Sequence, residues 1–136
     1  MAKLQTTTFT YNELHLLSSI LNPLDKLKTF TYDSERRLGR IVDAKNQTIK
    51  FEYDAANQLT KKYLPEETLA YTYDTGGNLA SVKDSDSYLS FTYDTLNLLK
   101  TAKTNSGYLQ PSTTISYTYD SNNNRATLVD VGGTTF

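Results

Sequence analysis

The segment Ile49-Lys50-Phe51-Glu52-Tyr53-Asp54-Ala55-Ala56-Asn57-Gln58-Leu59 holds in one short run the pattern on which the rest of the chain is built. Its apolar residues Ile49, Phe51 and Tyr53 alternate with polar ones, and a period of two places them on one face of a β-strand. The same alternation returns at Leu69, Tyr71, Tyr73, at Leu89, Phe91, Tyr93 and at Ile115, Tyr117, Tyr119. Thr31, Thr72, Thr92 and Thr118 fall on the other face, where a β-branched polar residue suits a strand with one wet side. Asp54 follows the tyrosine, and its short side chain can accept backbone N–H groups two residues on and start a turn. Asn57 comes three residues later, where a type I turn followed by a bulge needs a left-handed backbone. Leu59 then begins the return strand.

Working outward, the opening of this unit recurs as FTYN at Phe9, FTYD at Phe30, FEYD at Phe51, YTYD at Tyr71, FTYD at Phe91 and YTYD at Tyr117, at intervals of 21, 21, 20, 20 and 26 residues. The turn starter is Asn12, Asp33, Asp54, Asp74, Asp94 or Asp120. The left-handed position is His15, Arg36, Asn57, Gly77, Asn97 or Asn123, and Arg36 is the residue there least suited to it, at roughly 1–2 kcal/mol. Leu17, Leu38, Leu59, Leu79 and Leu99 stand six residues after the tyrosine, and Arg125 takes that place in the last unit. Return strands such as Leu38 to Val42 and Leu79 to Lys83 lead into a second class of turn, marked by Pro23, Pro65, the Asp84-Ser85-Asp86-Ser87 cluster and Gly132-Gly133. A proline does no harm there.

The predicted fold is therefore all-β: tandem antiparallel β-hairpins forming a twisted, curved meander sheet. The units run over residues 9–29, 30–50, 51–70, 71–90, 91–116 and 117–136 of a single array. One hairpin is marginal in water, so neighbours must pair side by side, and a long strip should twist. Such a strip exposes its aromatic face, which more chain, a second copy or cargo must fill, and self-association through sheet edges or the apolar face is expected. Thr6-Thr7-Thr8 leads directly into Phe9, and Phe136 stands where a next unit's first aromatic belongs. Since terminal repeats normally differ from internal ones, the chain is expected to be part of a longer array.

Composition narrows the function classes. Eleven Tyr and five Phe stand beside no Trp and no Cys, and 14 Lys and Arg against 15 Asp and Glu leave a net charge of −1. No basic field exists to hold a polyanion, so nucleic acid is not an expected partner. Without cysteine there is no disulfide framework, thiolate catalysis or Cys-based zinc site. No apolar run has the length of a spanning helix, and the N-terminus lacks the segments of a signal peptide.

Candidate chemistry is sparse. The Asp row would stand roughly 9–10 Å apart, two strand spacings, near the upper end for the carboxylate pair of an inverting glycosidase. Identical groups in identical turns are better explained as turn formers. His15 is the lone histidine and occupies the left-handed turn position, which leaves a Ser-His-Asp or metal-His arrangement without support. Asp84-Ser85-Asp86 lacks the further oxygen ligands of a calcium loop. Gly76-Gly77 has no phosphate-cradling pattern. No catalytic residue, metal or cofactor is expected, and the chain is read as a non-enzyme. The candidate ligand-binding residues are the tyrosine ladder, Tyr11, Tyr32, Tyr53, Tyr73, Tyr93 and Tyr119, whose rings could meet sugars, together with Tyr108 in the longer segment Asn105 to Ser112, read as a surface loop of the kind that carries recognition.

The unit F/Y-T-Y-D-x-x-(N/G)-x-L, recurring from Phe9 to Phe136, resembles the YD repeat of the Rhs/YD-repeat proteins: bacterial polymorphic toxins, insecticidal toxin complex components, wall-associated proteins and teneurins. The resemblance implies a spiralling β-strip that closes into a hollow shell, a secreted or cell-surface setting, and neighbouring repeats or domains of a parent protein as partners. The implied function is a non-catalytic scaffold that encapsulates or presents cargo. The alternative is an adhesin module binding a glycan or a protein through the aromatic face or the 105–112 loop. The family's Gly-Arg-Leu appears as Arg36-Arg37-Leu38, Asn57-Gln58-Leu59, Gly77-Asn78-Leu79 and Asn97-Leu98-Leu99, so the units are degenerate. No Asp-Pro occurs, so the family's self-cleaving region has no counterpart here.

Overall fold

The computed structural model describes residues 6–106 and 112–130, and every described element is a strand or a turn. The chain divides into two compact units, Met1–Glu67 and Thr68–Phe136. The first holds β1 (Thr8–Tyr11), β2 (Leu17–Leu21), β3 (Leu27–Tyr32), β4 (Leu38–Val42), β5 (Thr48–Tyr53) and β6 (Leu59–Tyr63). The second holds β7 (Thr68–Tyr73), β8 (Leu79–Lys83), β9 (Ser87–Tyr93), β10 (Leu99–Ser106), β11 (Thr113–Tyr119) and β12 (Arg125–Val129). Within each unit every strand pairs antiparallel with the one before it, a meander without crossovers.

The register explains why the alternation works. Residues directly opposite each other in an antiparallel pair share a face. In the first unit Phe30 lies opposite Ile41, which lies opposite Ile49. In the second, Tyr71 meets Val82 and Val82 meets Leu89, while Phe91 meets Ala102 and Ala102 meets Ile115. Aromatic and aliphatic side chains thus form rows on the tyrosine face, interrupted where Lys28 lies opposite Ile20 and Lys62 opposite Phe51. The opposite face is mainly hydroxyls and charges, with Thr72 bonded to Ser81 at 2.7 Å, Thr92 to Thr101 at 2.6 Å and Thr118 to Thr127 at 2.6 Å, and it also carries Leu21, Leu27, Val42, Tyr63 and Tyr88 at the strand ends away from the Tyr-Asp turns.

Each Tyr-Asp turn has the geometry that its residue types predict. Asp33 N–H donates to the Arg37 carbonyl at 2.9 Å and Arg36 N–H returns to the Asp33 carbonyl at 3.1 Å, a three-residue loop closed by a left-handed residue. That residue has positive φ in all six turns: His15 61°, Arg36 66°, Asn57 64°, Gly77 84°, Asn97 62° and Asn123 65°. Past the turn the pairing slips by one residue, Thr31 facing Arg40 while Tyr32 faces Leu38, so Gly39 is a bulge. The same slip occurs between Thr10 and Tyr11, Glu52 and Tyr53, Thr72 and Tyr73, and Thr118 and Tyr119.

No apolar side chain is buried among the described residues, and Ser81, 5% exposed, is the only residue classed as buried. Each unit is one layer whose apolar face is half covered by its own neighbours. Asn105 and Ser106 belong to β10 rather than to a loop, because Tyr88 and Ser87 extend β9 far enough to pair with them. Tyr108, Gly132-Gly133 and Phe136 lie outside the described residues. Among the described residues no helix is long and apolar enough to cross a membrane.

Candidate functional site

The repeated side chains converge on the Tyr-Asp edge. Each Asp or Asn accepts two backbone N–H groups on its Oδ1. For Asp54 these come from Ala56 at 2.9 Å and Gln58 at 2.9 Å. Asn12, Asp33, Asp74, Asp94 and Asp120 make the same pair of bonds. An oxygen committed to two turn amides satisfies donors that would otherwise depend on solvent.

The tyrosine hydroxyls hold one repeat to the next. Tyr32 donates to the Leu17 carbonyl at 2.9 Å, Tyr53 to that of Leu38 at 3.0 Å, Tyr93 to that of Leu79 at 2.9 Å and Tyr119 to that of Leu99 at 2.8 Å. The backbone ladder between neighbouring repeats begins at Ser19, Arg40, Ser81 and Thr101, two residues beyond each of these leucines. The phenol reaches past the end of the ladder and supplies a donor to a carbonyl there. Tyr11 belongs to the first repeat and is 63% exposed, whereas Tyr32, Tyr53, Tyr73, Tyr93 and Tyr119 are half-buried.

A second set of links joins turn tip to turn tip. Arg37 donates from Nε to Asp33 Oδ2 at 2.7 Å and from Nη1 to Asn57 Oδ1 at 2.8 Å and the Asp54 carbonyl at 3.1 Å, and its guanidinium lies 4.9 Å from the Tyr53 ring centre. Asn78, at the matching position two repeats on, donates to Asp74 Oδ2 at 3.1 Å and to Asn97 Oδ1 at 2.9 Å. These clamps escaped the sequence reading, which treated the middle residue of the Gly-Arg-Leu equivalents as degenerate. The second class of turn was expected at Pro23, but its geometry was missed: the turns at Asn22 and Asp43 repeat the double Oδ1 acceptance and place Asp25 and Asn46 at φ 55° and 61°. The spacing of Asn22 to Asp25 and Asp43 to Asn46, the same as Asp54 to Asn57, was the available signal.

The electrostatics follow from these bonds. Desolvation pushes the Asp33 carboxyl up, but the bonds from Arg37 and Glu35 and the Arg37 charge outweigh it, so its pKa lies below the ordinary carboxylate value. The Asn78 side chain and the turn amides lower Asp74, and Asn124 and the turn amides lower Asp120. The Asp86 amide and Ser87 lower Asp84. Desolvation raises Tyr53, Tyr71 and Tyr93. Carboxylates held ionised by turn amides are poor general acids, which need a raised pKa. Among the described residues no group of three or more His, Asp or Glu is placed to hold a metal ion.

The family model described as Teneurin YD-shell matches residues 1–83, more than half of the chain. The chain belongs to the teneurin YD-shell family. Solved structures of the same fold include the TcdB2-TccC3-Cdc42 crystal structure, 16% identical over 94% of this chain and 7% of that one, with a TM-score of 0.79. The Tc holotoxin pore of Photorhabdus luminescens is 16% identical over 93% of this chain and 9% of that one, with a TM-score of 0.65. TcdB2-TccC3 is 15% identical over 100% of this chain and 10% of that one, with a TM-score of 0.66. The chain thus spans a tenth or less of these solved chains, and the likeness to them is one of fold. No curated protein sequence matches it. In this YD-shell sequence both letters of the motif have structural employment: the tyrosine bonds backwards to the preceding repeat and the aspartate closes its own turn. Of the ladder tyrosines, Tyr119 lines a shallow pocket with the turn carboxylates Asp94 and Asp120, but four of the ladder hydroxyls, that of Tyr119 included, are already committed to leucine carbonyls.

Proposed function

We propose that the chain is a non-catalytic length of wall in a secreted or surface YD-type shell, with its aromatic face turned toward the enclosed space and available to cover cargo. The observation that carries this reading is the asymmetry of the single layer. One face carries rows of Phe, Tyr, Ile and Leu, interrupted by Lys28 and Lys62, with no buried apolar side chain among the described residues, and the other is mainly Thr, Ser, Lys and Glu, with Leu21, Leu27, Val42, Tyr63 and Tyr88 among them. An apolar face of this extent on a soluble protein marks a surface that is covered in use. YD-shell membership supports a structural role, and the toxin complexes of the same fold are multi-component assemblies. Commitment of one oxygen of each Tyr-Asp turn carboxylate to turn amides and of four Tyr hydroxyls to backbone carbonyls argues against catalysis and weakens the glycan-binding alternative.

The test exploits the absence of cysteine. Single cysteines at Val82, on the aromatic face, and at Lys103, on the polar face, are introduced into the complete polypeptide in which the chain is expressed. With a bulky maleimide polymer, Lys103→Cys should react at least tenfold faster than Val82→Cys, while in the unfolded state the two react alike. Equal rates in the folded protein would overturn the shell reading.

A further inference from the structure

Two positions interrupt the apolar rows of the first unit with a positive charge. The place two residues before a repeat's first aromatic is Ile49, Leu69, Leu89 or Ile115 in four repeats, Thr7 in the first and Lys28 in the second. The place nine residues after the repeat tyrosine is Ile20, Ile41, Val82, Ala102 or Leu128 in five repeats and Lys62 in the third. Both lysines stand on the aromatic face, Lys28 opposite Ile20 and Lys62 opposite Phe51. Lys28 Nζ lies 5.5 Å from the Phe30 ring centre, and Lys62 is half-buried. Among the described residues neither makes an ion pair. Lys61, next in the chain, is served differently. It lies on the other face opposite Glu52, the one carboxylate in β1 to β6, whose Oε1 accepts a bond from the Tyr63 hydroxyl at 2.8 Å and whose Oε2 is 3.8 Å from Lys61 Nζ. Lys28 also opens onto a cleft of about 430 Å³, walled by Ile20 and Ala44 and flanked by Lys26 and Lys45. The carboxylate of that cleft, Asp43, has its Oδ1 held by the Lys45 and Gln47 amides.

We propose, resting on the reading that the aromatic face is covered in use, that the enclosed polypeptide segment lying over the first unit is acidic as well as apolar. It places one carboxylate among Lys26, Lys28 and Lys45 and another on Lys62. A lysine on an open face keeps its water, but an unpaired ammonium under an apolar cover loses hydration that an opposing charge must replace. The strands of the unit have no carboxylate on that face to supply it. By register Lys28 and Lys62 lie three strands apart and about four residues apart along the strands, roughly 20 Å at the usual spacing and rise. The row Phe30, Ile41, Ile49 runs between them. Isolated cations separated by aromatic and aliphatic side chains match a chain with sparse carboxylates and apolar residues between, which is a polypeptide. A nucleic acid carries its charge too densely for that pattern.

The probe is the end-blocked peptide Glu-Ser-Leu-Ser-Leu-Ser-Glu, whose glutamates, when it is extended, stand about 20 Å apart on the side that carries its leucines. A second peptide has glutamine in place of both glutamates. Titrated into the isotope-labelled full chain, the acidic peptide should shift the side-chain resonances of Lys28 and Lys62 and the amides of Phe30, Ile41 and Ile49. It should bind at least about threefold more tightly than the glutamine peptide, the scale of one exposed ion pair. Lys28→Met combined with Lys62→Met should remove that difference and leave the glutamine peptide's affinity within about twofold, while the melting temperature does not fall, because methionine restores the apolar rows. Lys50→Met, on the polar face, should leave the difference in place. Equal affinities for the two peptides, or a preference that survives the double change, would overturn the acidic complement and leave the covered face standing. Failure of both peptides to bind the aromatic face would remove the covered face as well.

Discussion

Arg36 holds a backbone conformation that costs a side-chain-bearing residue about 1–2 kcal/mol, at φ 66° on an exposed turn. Glycine relieves that cost but loses about 0.4–1 kcal/mol through the greater freedom of its unfolded chain. Arg36→Gly is therefore expected to stabilise the protein by about 0.5–1 kcal/mol, measured as a raised urea midpoint at unchanged slope. Tyr53→Phe should cost about 1 kcal/mol, the usual value of one intramolecular hydrogen bond, because it leaves the half-buried Leu38 carbonyl without its donor. Tyr11→Phe, which removes a hydroxyl with no partner among the described residues, should leave monomer stability within about 0.3 kcal/mol by the same urea measurement. In five of the six Tyr-Asp turns the left-handed position was legible because His, Asn or Gly announces it, whereas Arg36 was placed by the repeat alone and Asp25 and Asn46 were not placed. The tyrosine bonds were not legible, since their acceptors are main-chain carbonyls that no residue type marks.

At the scale of the hairpin, the turn carboxylates tie stability to pH. Asp33, Asp74, Asp84 and Asp120 are all depressed below the ordinary value near 4. A depressed carboxylate adds stability that is complete above its unfolded pKa and disappears as pH falls through the folded one. The melting temperature should be flat from about pH 6 to 8 and fall below about pH 4. Asp74→Asn keeps an Oδ1 acceptor, as Asn12 does in its own turn, but cannot titrate. It should flatten part of the acid limb, and an unchanged limb would show that the turn carboxylates do not carry it. Strands and Tyr-Asp turns were readable because alternation and the Asp-x-x-Asn spacing are local. The clamps from Arg37 and Asn78 were hidden, because they join residues 20 and 19 positions apart and depend on the register between hairpins.

For the molecule as a whole, the missing core changes what a truncation costs. Phe→Ala in a packed interior costs about 3–5 kcal/mol, whereas Phe30 is only half-buried against the Ile41 row. Phe30→Ala should therefore cost about 1–2 kcal/mol in urea unfolding. The uncovered aromatic face was legible in advance from the period of two together with a chain of one layer's worth of apolar residues. The two compact units were not, because nothing in the residues around Glu67 and Thr68 interrupts the repeat. The wall depends on hairpins aligned so that aromatic rows stay on one side. The most direct measurement is the set of interstrand amide–amide nuclear Overhauser effects at the repeat junctions. Contacts between Ile41 and Ile49, between Val82 and Leu89 and between Ala102 and Ile115 are the expected result. Contacts displaced by one residue, such as Ile41 with Lys50, would turn every other strand's apolar side to the opposite face and contradict it.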